Sequence, residues 1–428
     1  MRIKRPLVID NGTDTLKSGY AGEPRPQSVL PTVLGYSRGT SIMPDVEHYV
    51  REYYFGEETE ALRGVLRLMY PIESGLVTDW DTMEKIWHYV FHAELQINPS
   101  EHPILFTEVP LNPPHNREKM AEILFETFNV PAMAVISTAV LSLRSLGKVT
   151  GLVVDLGGGG VKIVPIYENS VITHAIARMD ISGRAITEYL CRLLRQRGYN
   201  LPAGERKILR DIKERFCYIV LDPQVELSLT RRVAVMEKTY TLPDGECISL
   251  GLERFLAPEV LFNPVYIGHE ENPLHECIYK SIQKCENKMQ QEFYQNIVLT
   301  GGSSLFPGLK ERLHKELTQM LPEATKVRII ASPERNLFAW LGGSIFASQR
   351  FFSKFLVWRT DYQEHGSIVA RQGILSKLFD YPWGRDLISI NFTKGEICPF
   401  CGNLEMLVGK EKKTDKYFVF CPACKNKS

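Results

Sequence analysis

Apolar runs of strand length alternate with amphipathic segments along this chain, and the alternation predicts strands and helices in turn. After an opening strand pair, residues 103–114 predict a buried strand with a proline-rich exit, and residues 115–128 predict a helix, because apolar side chains recur there at helical spacing. A strand at residues 132–136 and a helix at residues 138–146 follow. The order of strand pair, strand, helix, strand and helix then recurs after about residue 147, so the pattern predicts an internal duplication.

The opening strand pair holds a turn that is suited to phosphate. Asp10 ends the first strand, where its carboxylate can hold a metal ion through water, and the turn from Asn11 to Asp14 can point backbone N–H groups at an anion. Lys17 adds a mobile point charge for phosphate oxygens. Taken alone, the stretch fits an ordinary tight turn equally well.

A second copy of this arrangement favours the phosphate interpretation. Residues 151–165 again form an apolar strand that ends in an aspartate, Asp155, and a run of glycines from Gly157 to Gly160 leads into the next strand. Glycines in succession cost conformational entropy, so they need a reason such as close approach of the backbone to a ligand. Two such hairpins facing each other would clamp phosphates and a divalent cation between two halves of the protein.

A further glycine turn lies late in the chain. Residues 297–313 predict a buried strand, a turn at Gly301 and Gly302, and then a helix. The backbone at such a helix start can approach a flat ligand closely. An ordinary strand-to-helix connection is the alternative.

Composition places the chain among globular proteins with room for two or more domains. It has 428 residues, of which 44% are hydrophobic and 24% charged, so no disorder is forced on it. The 51 basic and 50 acidic side chains give a formal charge of +1, which calls for neither nucleic acid nor an anionic membrane as partner. The sequence shows no signal peptide and no uninterrupted apolar run of membrane length. We therefore expect a cytoplasmic protein without a membrane span, with the nucleus as the alternative in a eukaryote.

The nine cysteines fall into two classes. Five stand singly along the body, as expected for an intracellular protein, whereas Cys398, Cys401, Cys421 and Cys424 form two Cys-x-x-Cys pairs separated by nineteen residues. Two such turns at the ends of a short antiparallel hairpin offer four thiolates, a closed tetrahedral site typical of structural Zn2+. Two redox-active pairs, or a spacing that arose by chance, are the alternatives. A closed site leaves no position for reacting water, so the metal would fold a module too small for its own core.

The hairpin between the cysteine pairs, residues 409–420, mixes four lysines with three aromatic side chains. This mixture is typical of a nucleic-acid-binding ribbon, but Glu411 and Asp415 dilute its positive charge. Docking on a protein partner, or on the rest of this chain, is at least as good an interpretation.

Long stretches of the chain, from about residue 6 to residue 375, resemble actin, in the sugar kinase and heat-shock ATPase superfamily. In order they are IDNGT with Lys17, YPIESGLVTDWDTMEKIWHYVF, HPILFTEVPLNPPHNREKMAEILFETFNVPAM, AVLSL, VPIYE, RDIKERFCY, LPDGE, TGGSSLFPG, and SPERN with WLGGSIFAS. The resemblance implies an α/β fold of two lobes, each a ribonuclease-H-like domain with a small subdomain. It also implies a cleft that binds ATP or ADP together with Mg2+ or Ca2+.

The resemblance also implies a division of the chain. The first lobe would span residues 1–146, the second lobe residues 147–345, and residues 346–380 would return to the first lobe. The zinc ribbon, at residues 394–428, has no counterpart in actin.

Residue by residue, the resemblance assigns two sets of site positions. The phosphate and metal positions are Asp10, Gly12, Thr13, Lys17, Asp155, Gly157 and Gly159. The ribose and adenine positions are Gly183, Lys213, Glu214, Gly302, Ser303 and Phe306.

Five positions depart from the family pattern. Thr138 and Lys162 stand where actin-like sequences carry the glutamine and the histidine that orient and activate the attacking water. Gly158 replaces an acidic residue near the metal, Asp14 replaces a glycine of the first loop, and Asn336 replaces a lysine beside the adenine. We therefore expect ATP to bind but to be hydrolysed slowly. Whether the chain acts as an ATPase is left open. Asp14 would partly replace the carboxylate lost at residue 158, and should turn toward the metal or out to solvent.

These features lead to two hypotheses about function. The first is an actin-related, ATP-binding cytoskeletal protein that assembles with itself or with related actin-like chains and can meet actin-binding proteins. The second is a non-polymerising scaffold subunit of a larger complex, which would contact nucleic acid only through the zinc ribbon.

Overall fold

The computed structural model describes residues 4–37, 51–199, 206–232, 237–242, 244–370, 407–410 and 417–420. In chain order the strands are β1 (Leu7–Asn11), β2 (Thr15–Tyr20), β3 (Ser28–Pro31), β4 (Leu34–Ser37), β5 (Tyr53–Phe55), β6 (Leu66–Met69), β7 (Ile72–Glu73), β8 (Leu76–Val77), β9 (Ile104–Glu108), β10 (Ala132–Ser137), β11 (Gly151–Gly157), β12 (Gly160–Tyr167), β13 (Ser170–Val171), β14 (Ala177–Met179), β15 (Lys238–Thr241), β16 (Cys247–Leu250), β17 (Ile297–Thr300), β18 (Ile329–Ile330), β19 (Val357–Trp358), β20 (Leu407–Lys410) and β21 (Tyr417–Phe420).

The α-helices are α1 (Gly56–Ala61), α2 (Trp80–Tyr89), α3 (Pro114–Glu122), α4 (Thr138–Arg144), α5 (Gly183–Gln196), α6 (Arg206–Phe216), α7 (Pro223–Arg232), α8 (Glu253–Glu259), α9 (Leu274–Gln283), α10 (Asn287–Gln295), α11 (Leu309–Met320), α12 (Phe338–Ala347) and α13 (Arg359–His365). Two π-helical turns, Val90–Glu94 and Ile123–Thr127, continue α2 and α3. Short 3-10 helices lie at Pro99–Glu101, Thr173–Ala175, Pro264–Ile267, Gly302–Leu305, Arg335–Leu337, Arg350–Phe355 and Gly366–Ala370. None of the described helices is both long and apolar enough to cross a lipid bilayer.

Two large sheets repeat one strand arrangement. In the first, with the order β19-β10-β9-β1-β2-β3, the β1–β2 hairpin is antiparallel, and β9 and then β10 continue the sheet in parallel beside β1. In the second, with the order β13-β12-β11-β17-β18, the β11–β12 hairpin is antiparallel, and β17 and then β18 continue in parallel beside β11. The internal duplication predicted from the order of elements is therefore confirmed. We call each large sheet, with the elements packed around it, the first lobe and the second lobe.

Helices α4 and α12 fill the space between the two large sheets. Their apolar side chains share one core cluster with Val8 of the first sheet and Val298 of the second. The two helix backbones approach so closely that a Cβ on Gly342 would lie 1.8 Å from the carbonyl oxygen of Leu141, so only glycine fits there. Trp340 donates from Nε1 to the carbonyl oxygen of Val8 at 3.1 Å. This central layer fixes the two sheets, and therefore their hairpins, relative to each other.

The structure confirms the strands predicted in the first half of the chain but changes one helix. The helix predicted over residues 115–128 is α3 followed by a π-helical turn, whose wider spacing buries Leu124 and Phe125 together. The predicted strand and helix that precede the second hairpin are β10 and α4.

The glycine turn late in the chain also differs from its prediction. The turn after β17 opens a 3-10 helix, Gly302–Leu305, and α11 begins only at Leu309. The helix is delayed because Pro307 lacks a backbone donor and restricts the residue before it. The glycine pair is therefore next to the site, but it does not form the start of a long helix.

Two strands of the C-terminal tail lie inside the described ranges. β20 and β21 pair in antiparallel fashion, with Leu407 opposite Phe420. The short antiparallel hairpin predicted between the cysteine pairs is therefore confirmed. Outside the described residues lie the four predicted zinc ligands, Cys398, Cys401, Cys421 and Cys424.

Candidate functional site

The turns of the two large hairpins face each other across the cleft between the lobes. The turn between β11 and β12 lies so close to the turn between β1 and β2 that a Cβ on Gly158 would lie 2.1 Å from Asp14 Oδ2. A Cβ on Gly159 would lie 2.6 Å from Thr13 Oγ1. The facing arrangement expected from the sequence is present, and the missing side chains of the two glycines allow this close approach.

A cavity of about 150 Å3 lies between these turns, the start of α4 and the segment after β17. The predicted nucleotide and metal-site residues that line it are Asp10, Gly12, Thr13, Asp14, Lys17, Thr138, Asp155, Gly157, Gly158, Gly159, Lys162, Lys213, Glu214, Gly302, Ser303 and Asn336. Two predicted residues are not part of this lining. The carbonyl oxygen of Gly183 accepts a hydrogen bond of 2.8 Å from Lys213 Nζ, and Phe306 is buried in the core of the second lobe.

A wider cavity of about 300 Å3, which we call the mouth, adjoins the first cavity. Lys213 and Glu214 line both cavities, and so does Arg210, which the sequence analysis missed. Arg210 donates from Nε to a carboxylate oxygen of Glu214 at 2.8 Å. The available signal was the helical spacing of four residues between Arg210 and the predicted Glu214.

Asp10 and Lys17 form a fixed ion pair beneath the first turn. The two residues lie directly opposite each other on β1 and β2, and Lys17 Nζ donates to Asp10 Oδ2 at 2.9 Å. Thr107 Oγ1 donates to the other oxygen of Asp10 at 2.8 Å. Lys17 was predicted to be a mobile charge, and this is wrong because strand pairing holds it against Asp10, with only 9% of the lysine exposed. The carboxylate still has lone pairs that can accept from a cation's water.

Asp155 and Lys162 occupy the equivalent positions beneath the second turn, but they form no direct ion pair. They lie opposite each other on β11 and β12. Burial raises the pKa of Asp155, the nearby Lys162 ammonium lowers it, and the charge of Asp10 raises it again. Burial lowers the pKa of Lys162, and Asp155 raises it. Since the charge of Asp10 acts on Asp155 across the cleft, a cation held near both carboxylates would relieve this repulsion.

An arginine holds the segment after β17. Arg335 donates from Nε to Ser304 Oγ at 3.0 Å and from Nη1 to the carbonyl oxygen of Ser332 at 2.8 Å. Its own carbonyl oxygen accepts a hydrogen bond of 2.9 Å from Thr300 Oγ1. These bonds keep Gly302 and Asn336 at the cavity without the helix that the sequence predicted.

The family model described as Actin matches residues 3–374 of this chain. The chain belongs to the actin family. Membership supports an actin-like nucleotide-binding protein, since this family usually binds ATP or ADP with a divalent cation. The matched residues end before the cysteine pairs of the tail.

The residues present fit the nucleotide and cation that the actin family implies. Within the described part of the chain no three His, Cys, Asp or Glu side chains are grouped to hold a metal on their own. Mg2+ does not need such a cage, because it usually keeps several waters and binds one or two carboxylates together with phosphate oxygens. Asp10 and Asp155 can supply those carboxylates, and Lys17 and Lys162 can offset phosphate charge.

Asp14, one of the departures from the actin family pattern, turns across the cleft toward the second lobe. Its carboxylate fills the space beside Gly158, and Arg184 Nη2 lies 3.5 Å from Asp14 Oδ1. Burial lowers the pKa of Lys213, and the charges of Glu214 and Asp14 oppose that shift. Burial also opposes the raised pKa of Arg210, to which the charges of Glu214 and Asp14 contribute. Asp14 therefore faces the cations of α5 and α6 rather than open solvent, and a carboxylate is present beside residue 158 although residue 158 carries none.

Substitutions at residues 14 and 158 should show that the effect of each on stability and on MgATP binding depends on the other. We expect Gly158→Asp alone to destabilise the protein by about 1–3 kcal/mol and to weaken binding of MgATP, because the new side chain would overlap Asp14 and bring two carboxylates together. Adding Asp14→Gly should restore much of both losses. Thermal unfolding and MgATP titration of the four proteins measure this coupling.

A glycine in open space gives the matched control. A Cβ on Gly64 meets nothing within 4 Å, so Gly64→Asp should change stability by less than about 0.5 kcal/mol. If Asp14→Gly alone tightens MgATP, Asp14 merely repels phosphate and does not replace the missing carboxylate.

Proposed function

We propose that this chain is an actin-related protein that binds ATP, or ADP, with Mg2+ or Ca2+ in the cleft, and assembles with itself or with related actin-like chains. The observation that carries the nucleotide proposal is the close approach of two glycine-containing hairpin turns around one cavity, with an aspartate opposite a lysine on the two strands beneath each turn. Actin-binding proteins are a further class of partner under this proposal. A cytoplasmic location, with the nucleus as the alternative, remains part of it.

The chain's own residues have distinct tasks in this proposal. Backbone N–H groups of the two turns, with Lys17, hold phosphate oxygens, and Asp10 and Asp155 orient the waters of the cation. When bound, the cation would offset phosphate charge between the lobes. Lys213, Glu214 and Ser303 would face the nucleoside.

The proposed division of the chain gives the lobes residues 1–146 and 147–345, with a return to the first lobe over residues 346–380. Pairing of β19 with β10 in the first large sheet supports the return. Because α4 and α12 lie between the sheets, a nucleotide bound to both hairpins would link two lobes that already share a core.

A scaffold subunit that does not polymerise is the second candidate. The tail favours it, because a β20–β21 hairpin flanked by two cysteine pairs lies beyond the residues matched by the actin family. A zinc ribbon there would give the chain a contact for nucleic acid or for a protein that actin does not have.

Assembly separates the two candidates. We expect light scattering to rise, and electron microscopy to show filaments, after MgATP is added to the purified full chain, but not in its absence or with excess EDTA. A protein that binds MgATP and yet stays monomeric at high concentration would support the scaffold candidate instead.

A further inference from the structure

Two exposed histidines, His88 and His92, lie side by side on the surface of the first lobe. His88 belongs to α2 and His92 to the π-helical turn that continues it, so the four-residue spacing makes their side chains neighbours. Their ring centres lie 4.3 Å apart, with an angle of 52° between the ring planes. Neither imidazole makes a hydrogen bond or an ion pair with the residues that the structure describes. The ring nitrogens are therefore available to a ligand.

The separation of the two rings is close to that of two imidazoles bound to one metal ion. A metal–nitrogen bond of about 2.0–2.1 Å puts each ring centre ~3 Å from the ion, so the two centres lie ~4.5–5 Å apart at ordinary bond angles. Both side chains are exposed, so small rotations about their side-chain bonds can bring one nitrogen of each ring to a shared ion. Two histidines at this spacing on one helix face are also the ligands of a known class of zinc site.

The backbone between the two histidines is already held in place. Val90 and Phe91 are fully buried in the core of the first lobe. The ring of His88 also approaches the buried ring of Phe128, with 6.5 Å between the two centres. Because this turn is ordered before any ion arrives, binding costs little further loss of chain freedom.

The histidine pair is separate from the nucleotide cleft. Neither residue lines the cavity between the hairpin turns or the mouth. Among the described residues, no third His, Cys, Asp or Glu side chain joins the pair to complete a metal cage. Water would fill the remaining positions around an ion, which an exposed site allows.

We propose that His88 and His92 together chelate one divalent transition-metal ion of the class that prefers imidazole, namely Zn2+, Ni2+ or Cu2+. The cation proposed for the cleft is of another class, because Mg2+ and Ca2+ prefer oxygen ligands. Once one imidazole has bound, the second meets the ion at a high local concentration, so the pair binds more tightly than either histidine alone. The inference does not depend on the proposed nucleotide binding.

Calorimetric titration of the full chain with Ni2+, in the absence of nucleotide, tests the proposal. His88→Gln and His92→Gln should each weaken one Ni2+ site by about tenfold or more, because each removes one of the two nitrogens. His314→Gln is the matched control and should leave that site unchanged, because His314 is an exposed residue of α11 with no histidine four residues away. The four tail cysteines are present in every variant, so Ni2+ bound there does not distinguish them.

A second measurement uses only the wild-type protein. Diethyl pyrocarbonate modifies free imidazole, and mass spectrometry of peptides locates the modified histidines. We expect saturating Ni2+ to protect both His88 and His92 and to leave His314 reactive. Protection of only one of the pair, or of neither, overturns the proposal. Weaker Ni2+ binding in only one of the two glutamine variants, or in neither, also overturns it, because a chelate needs both nitrogens.

Discussion

In a single-turnover assay, the purified protein should release phosphate from MgATP roughly 100-fold or more slowly than polymerising actin. Cleavage of the terminal phosphate needs a water held in line with the breaking bond. The resemblance to actin implies that Thr138 and Lys162 stand where the family carries a glutamine and a histidine that orient that water. A threonine hydroxyl is too short to reach the same water, and a protonated lysine has no lone pair with which to accept a proton.

Binding of the nucleotide should survive these two changes. The backbone N–H groups of the turns and Lys17 do not depend on residues 138 and 162, and a lysine near the terminal phosphate would hold the unreacted nucleotide. We therefore expect ATP to act mainly as a link between the lobes. The direct sign of this behaviour is that the protein still holds unhydrolysed ATP after prolonged incubation.

A double variant tests whether Thr138 and Lys162 are the cause of the slow hydrolysis. Thr138→Gln with Lys162→His should raise the single-turnover rate by about tenfold or more, because it restores both water-orienting groups. Phosphate release from the wild-type protein as fast as from polymerising actin would contradict the prediction. In that case another side chain positions the water, and the double variant should gain nothing.

The two hairpins were predictable from the sequence because their signals are local. An apolar strand, a terminal aspartate and a glycine turn lie within a few residues of one another around both Asp10 and Asp155, and the repeat of the pattern gave the duplication. The register between two paired strands is harder to predict, because it depends on residues of both strands. The sequence alone predicts a mobile charge at Lys17, because only the pairing of β1 with β2 brings its ammonium to Asp10.

The contact between Asp14 and Gly158 joins residues that are far apart in the chain, so no local signal in the sequence predicts it. The sequence suggested that these departures offset each other, but the contact itself depends on how the central layer sets the two sheets. That layer relies on the approach of Gly342 to the backbone of Leu141, which no periodicity in the sequence reveals. Similarly, Phe306 was expected near the adenine by resemblance, but the structure buries it in the second lobe's core, where it does not line the cavity.

Metal analysis of the full chain, purified without chelator, should find one zinc per molecule. Cys421 directly follows Phe420, and Phe420 lies opposite Leu407 on the paired strand. The other cysteine pair precedes Leu407, so both pairs are attached to the same end of the β20–β21 hairpin. This order along the chain is consistent with the predicted closed tetrahedral site of four thiolates.

Loss of one ligand should abolish the site and leave the body intact. Cys398→Ser or Cys421→Ser should each remove the zinc, whose binding contributes about 10 kcal/mol or more to folding such a module. Thermal unfolding of the body should not change, because the described residues of the two lobes already pack into shared core clusters without the tail. Cys247→Ser, at an exposed cysteine of the body, is the matched control and should keep the metal.

The competing interpretation predicts a different chemistry for the same four sulfurs. Two redox pairs would form disulfides under mild oxidation and would hold no metal, whereas zinc-bound thiolates stay reduced and resist alkylation until a chelator removes the ion. Thiol titration before and after chelation therefore distinguishes the two. Protein that contains no zinc, and whose four tail thiols react at once, would end the zinc proposal and leave the hairpin as a redox or docking element.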